Sequence, residues 1–167
     1  MRHVVFAVFF AGASSAPALA DCSAVASAML AVEDRGGVRQ RMYAAQSDAV
    51  IGETLKLPDA MYQRGAAQAP WRRIPLDAAK RRAAAESAMR ALPLSDCSGP
   101  RAGDDGGLAV RIYDYSQPDP TKPGSKRRGA VWIDAEGLVR RQILQDGSRI
   151  VFEYGAFPAP VTGASAN

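Results

Sequence analysis

The stretch RGAVWIDAEGLVRRQILQDGSRIVFEYGAF, residues 128–157, decides the fold of this chain. Its Val, Ile, Trp, Phe and Tyr residues favour strands, and they fall into three runs separated by turn residues. The turns Asp134-Ala135-Glu136-Gly137 and Asp146-Gly147 supply the glycines that hairpins need for a positive φ. The sequence therefore predicts an antiparallel meander with strands at 130–134, 138–144 and 149–154.

The rest of the chain predicts more strands and two helices. Residues 22–34 carry an apolar stripe at helical spacing, and 76–92 consist of strong helix formers that Asp77 can cap and Pro93 ends. Alternating apolar and polar residues predict the remaining strands, at 37–47, 50–57, 59–64, 71–74 and 108–115. We interpret 99–107 as a polar turn. The Pro-rich, charged run 116–128 is interpreted as an exposed loop, which is either a plain solvated connection or a functional lid or anionic contact surface.

The ends of the chain carry targeting features. Arg2 and His3, an apolar run and Ala18-Leu19-Ala20 form the tripartite pattern of a secretory signal peptide over 1–20. We therefore expect one domain over 21–160, a disordered tail over 161–167, and a periplasmic location. Cys22 raises the alternative of a lipid-anchored protein, but Asp21 stands where a lipobox has a small residue.

The chain has two cysteines, Cys22 and Cys97. In an oxidising compartment a disulfide between them is the expected state, and two free thiols are the alternative. The bond would close a loop of about 75 residues and stabilise the fold by about 4 kcal/mol.

The single histidine, His3, lies in the predicted signal peptide. Removal of the signal peptide would remove this histidine, the usual base of a catalytic triad and the usual zinc ligand. We therefore expect no enzyme, no metal and no cofactor, with carboxylate or lysine chemistry as the alternative. Asp104-Asp105 stands in a Gly-rich segment and is interpreted as turn chemistry, with a calcium or catalytic site as the alternative. The net charge of +4 suits anionic partners, although a secreted location argues against nucleic acid.

Several short motifs resemble the LolA-like and LppX-like periplasmic carriers. They are Arg39-Gln40-Arg41, Asp59-Ala60-Met61-Tyr62 ahead of Trp71, Val131-Trp132-Ile133-Asp134, Gly137-Leu138-Val139-Arg140-Arg141 and Phe152-Glu153-Tyr154. The resemblance implies an α+β fold in which a strongly curved antiparallel sheet of about seven or eight strands forms an unclosed half-barrel covered by two helices. In LolA an arginine helps to latch the lid helices, and the sequence does not show which arginine here would do so.

The resemblance also implies a function, namely non-enzymatic binding or transport of a lipid or lipoprotein acyl chain in the concave face of the sheet. The alternative is a protein-interaction or envelope-stress sensor module built on the same fold, with an envelope protein as partner. We expect a monomer. The candidate cavity-lining residues, which could equally fill the space as core, are Met42, Leu55, Trp71, Ile112, Trp132, Phe152 and Tyr154.

Overall fold

A computed structural model describes residues 22–162 of the chain. The predicted signal peptide and the last five residues of the predicted tail lie outside this range; within the tail, Thr162 forms a bridge with Trp71. The described residues form two helices and nine strands. In chain order these are α1 (Ser23–Asp34), β1 (Val38–Tyr43), β2 (Val50–Lys56), β3 (Met61–Arg64), β4 (Arg72–Ile74), α2 (Ala78–Ala91), β5 (Ser95–Asp105), β6 (Leu108–Pro118), β7 (Lys126–Asp134), β8 (Val139–Leu144) and β9 (Arg149–Tyr154).

All nine strands belong to one antiparallel sheet of order β4-β3-β2-β1-β9-β8-β7-β6-β5. Two meanders, β1 to β4 and β5 to β9, join where β1 pairs with β9. The sheet stays open, with β4 and β5 as its edges. The predicted α+β architecture of a curved, unclosed half-barrel with two helices is therefore confirmed, as is the meander of β7, β8 and β9 with its two predicted turns.

The sheet has one strand more than the sequence predicted. Of the segment interpreted as a polar turn, residues 99–105 belong instead to β5, an edge strand that pairs with β6 with two irregularities in register, and only 106–107 form a turn. Pro100 is tolerated there because the outer side of an edge strand needs no backbone donor. The predicted loop 116–128 is also shorter, since Gln117 pairs with Arg127 and Pro118 with Lys126, which leaves 119–125 as the connection.

The two faces of the sheet bury different residues. The inner face, defined here as the one that α1 covers, packs Val38, Tyr113, Val131, Ile133, Val139 and Phe152 against Val25, Ala28 and Val32 of the helix. On the outer face a smaller cluster of Leu55, Leu57, Ala60 and Tyr62 is covered by Trp71 and by Phe157 of the chain segment after β9.

A disulfide joins Cys22 at the start of α1 to Cys97. The pairing is the one expected from the sequence, and Cys97 lies within the edge strand β5. The bond therefore fastens α1 to the edge of the sheet. None of the helices within 22–162 is long and apolar enough to cross a bilayer.

Candidate functional site

A cavity of about 290 Å³ lies between the two helices and the inner face of the sheet. Its wall is mainly apolar, with a few amide and carboxylate groups, and its volume is near the lower end for small-molecule sites. The lining residues are Met29, Val32 and Glu33 of α1, Ala85, Ala88 and Met89 of α2, Leu92 and Leu94 of the next connection, and Gln40, Gln117, Val139, Gln142 and Phe152 of the sheet.

The cavity exists because α2 places small side chains over the sheet. Ala85 and Ala88 face the space that larger residues would fill, and the one buried residue of α2 is Arg81. By contrast, α1 buries Val25, Ala28 and Val32 against the strands. The sheet is thus closely packed under α1 and hollow under α2.

Arg81 holds the first turn of α2 in place. Its Nη1 donates to the backbone carbonyls of Leu57 and Leu76 at 2.8 and 2.9 Å, and its Nε lies 3.5 Å from Oε2 of Glu33. Glu33 also pairs with Lys56 of β2, so the carboxylate of α1 lies between cations from α2 and from the sheet. Burial lowers the pKa of Lys56, and Glu33 opposes that shift. The sequence offered no sign of this role, because arginine is usually exposed.

The seven candidate lining residues do not share one cavity. Met42, Phe152 and Tyr154 belong to the inner face, where Phe152 lines the cavity and Tyr154 donates a hydrogen bond to the carbonyl of Val139 at 2.7 Å. Burial raises the pKa of Tyr154. The other four lie on the outer face: Leu55 and Trp71 in the smaller cluster, and Ile112 and Trp132 as a directly paired couple on β6 and β7.

A second, more polar depression of about 470 Å³ continues along the inner face over β1 to β4. We call it the polar groove; it is lined chiefly by Gln40, Met42, Gly52, Thr54, Gln63 and Arg72. Gln40 lines both the polar groove and the cavity, so the two adjoin at this residue. These residues lie on predicted strands, but the polar groove has no signal in the sequence because it forms only where four strands pair in register.

The acidic pair at the end of β5 serves local structure. Asp104 accepts the backbone N–H of Gly107 at 2.9 Å, which closes the turn into β6, and Asp105 pairs with Arg141. Within residues 22–162 no group of three His, Cys, Asp or Glu side chains is close enough together to hold a metal ion.

Among known proteins, the chain is similar to a solved structure but matches none in sequence. No family model matches the chain, and no curated protein matches it in sequence. Among solved structures, it is similar to the crystal structure of the Mycobacterium tuberculosis lipoprotein LppX, with a TM-score of 0.46 and 11% identity over 84% of this chain and 96% of that chain. The likeness is distant and concerns the course of the backbone alone.

Proposed function

We propose that this protein is a non-enzymatic periplasmic binding or carrier protein that holds one acyl chain of a lipid or lipoprotein in the cavity under α2. The supporting observation is the apolar space of about 290 Å³ between the alanine-rich helix and the inner face of the sheet. Each buried methylene contributes about 0.8 kcal/mol, so even a short length of chain adds several kcal/mol of binding free energy. The volume suits one chain rather than several.

The secretion pattern over 1–20 and the Cys22–Cys97 bond support an envelope location, because disulfides persist in oxidising compartments. Binding by burial needs no general base, which agrees with a sequence whose one histidine lies in the predicted leader.

A cavity-filling variant tests the proposal. Ala85→Leu places four-carbon bulk into the cavity at little cost in helix propensity, and Ala84→Leu makes the same change at an exposed position that does not line it. We expect wild type and Ala84→Leu to bind a fluorescent fatty acid alike and Ala85→Leu to bind at least tenfold more weakly.

Mass spectrometry of protein purified from the periplasm gives an independent readout. Denaturation with solvent extraction should release a lipid that the native mass includes, and the intact mass should show Cys22 oxidised and unlipidated. A clean ligand-free mass together with no uptake of the fatty acid would refute the carrier function and favour the interaction module.

A further inference from the structure

One row of side chains runs across the inner face from the cavity to the edge of the sheet. Gln40 pairs with Phe152 on one side and Thr54 on the other; Thr54 pairs with Gln63, and Gln63 with Arg72. Directly paired residues of neighbouring strands lie on the same face. The row therefore changes from an aromatic ring in the cavity to three uncharged hydrogen-bonding groups and then to a guanidinium.

The middle of the row has hydrogen-bonding capacity that the protein does not use. Gln40, Thr54 and Gln63 are half-buried, and among the described residues the side chains of Gln40 and Thr54 form no hydrogen bond. Gln63 accepts one long contact from Arg72, at 3.5 Å. Half-buried amide and hydroxyl groups along a groove are suited to the polar part of a ligand.

The far end of the row carries a positive charge without a partner. Arg64, which also lines the polar groove, is neutralised by Glu53, whereas within residues 22–162 no carboxylate lies within 4.0 Å of the Arg72 guanidinium. A guanidinium binds phosphate through two parallel N–H donors. The charge at this end therefore favours an anionic group, phosphate in particular.

The groove also has room for such a group. Gly52 leaves the floor open beside Met42, and the depression measures about 470 Å³. Gln40 and Arg72 are three strand spacings apart, about 14 Å. That span exceeds a bare phosphate and suits a headgroup in which a polar linker precedes or follows the phosphate.

On the basis of the proposed function, we infer that the ligand is a single-chain amphiphile with a phosphate-bearing headgroup, of the lysophosphatidylglycerol type. Its acyl chain occupies the cavity under α2, its hydroxyl and ester groups contact Gln40, Thr54 and Gln63, and its phosphate reaches Arg72. The assignment rests on the cavity and the polar groove meeting at Gln40 and on the charge of Arg72 beyond them, which is unpaired among residues 22–162.

The test compares three probes: lysophosphatidylglycerol, a monoacylglycerol with the same chain, and glycerol 3-phosphate. The test variant is Arg72→Met, and the control is Arg73→Met, the next residue of the same strand, which faces outward and contacts Asp59. We expect Arg72→Met to weaken lysophosphatidylglycerol binding at least tenfold, because it removes the charged hydrogen bonds to the phosphate, and to change monoacylglycerol binding less than twofold. Arg73→Met should change neither.

A second variant tests the polar groove without changing any charged residue. A Cβ at Gly52 would meet its nearest atoms, in Met42 and Arg64, at 3.9 Å, so Gly52→Leu fills the groove without backbone strain. It should reduce the affinity for lysophosphatidylglycerol to that for monoacylglycerol.

The outcomes separate this inference from the proposed function. If monoacylglycerol binds while Arg72→Met and Arg73→Met affect lysophosphatidylglycerol equally, the headgroup site is wrong and the acyl cavity stands. If glycerol 3-phosphate binds as tightly as lysophosphatidylglycerol, the groove is a phosphate site and the lipid assignment is wrong. If no amphiphile binds, both inferences fail.

Discussion

Replacing Arg81 with Met should loosen α2 and lower the stability of the whole domain. Met retains most of the side-chain length but removes the two hydrogen bonds from Nη1 to the carbonyls of Leu57 and Leu76, at 2.8 and 2.9 Å. A hydrogen bond to a charged group contributes about 1.5–3 kcal/mol, and relief from burying the guanidinium offsets part of that loss. We therefore expect the free energy of unfolding to fall by about 3 kcal/mol.

The neighbouring Arg82→Met is the matched control. Arg82 pairs with Asp34 and Glu86, but its side chain is 40% exposed, and exposed pairs contribute about 0–1 kcal/mol. Urea unfolding at pH 7 gives both free energies, and hydrogen exchange reports where protection is lost. In Arg81→Met the amides of α2 should lose more protection than the fall in the global free energy of unfolding explains. The amides of α1 should lose only as much as that fall explains. Equal losses in the two variants would refute the idea that Arg81 holds α2.

Three further results follow from other contacts. Changing Cys22 and Cys97 together to Ser should lower the free energy of unfolding by about 4 kcal/mol, because the chain-entropy model assigns that stabilisation to a bond across 75 residues; a loss below 1 kcal/mol in urea unfolding would contradict it. Gly37→Ala should cost about 2 kcal/mol because its Cβ would lie 1.9 Å from a facing carbonyl oxygen, whereas Gly36→Ala, whose nearest neighbour is at 3.7 Å, should be nearly neutral by thermal melting. Burial raises the pKa of Tyr154, so above about pH 10 its phenol loses its proton in the unfolded chain but keeps it in the folded protein, and the free energy of unfolding falls as the pH rises. Tyr154→Phe should therefore make the urea midpoint fall less steeply between pH 9 and 11 than it does in wild type.

The parts of the fold that the sequence predicted are those with local signals. The β7–β9 meander has alternating strands and two glycine turns, and each signal lies within a few residues of the structure it specifies. Strand β5, SDCSGPRAGDD, has no such alternation, and its extended form depends on pairing with β6. A propensity argument has no access to that pairing.

The candidate site also combines features that local sequence signals predict with features that depend on long-range pairing. Leu55 lies on a correctly predicted strand, yet it is buried on the outer face, because its register with Arg39 and Tyr62 turns it away from the helices and Phe157 helps to cover that side. Alternation predicts which residues share a face, but not which face the helices cover. That choice depends on the β1–β9 pairing, which joins residues more than a hundred positions apart and has no sequence signal of its own.

The two helices are attached to the sheet by different kinds of contact, and this difference indicates how a ligand would enter. Moving α1 away would break the Cys22–Cys97 bond and expose Val25 and Val32, both almost fully buried. Of the residues of α2 itself only Arg81 is buried, so separating α2 would uncover little apolar surface of that helix. Local opening favours segments with few buried apolar contacts. We therefore expect α2 to open more readily than α1, with the contacts of Arg81 and the Arg82–Asp34 pair opposing that step.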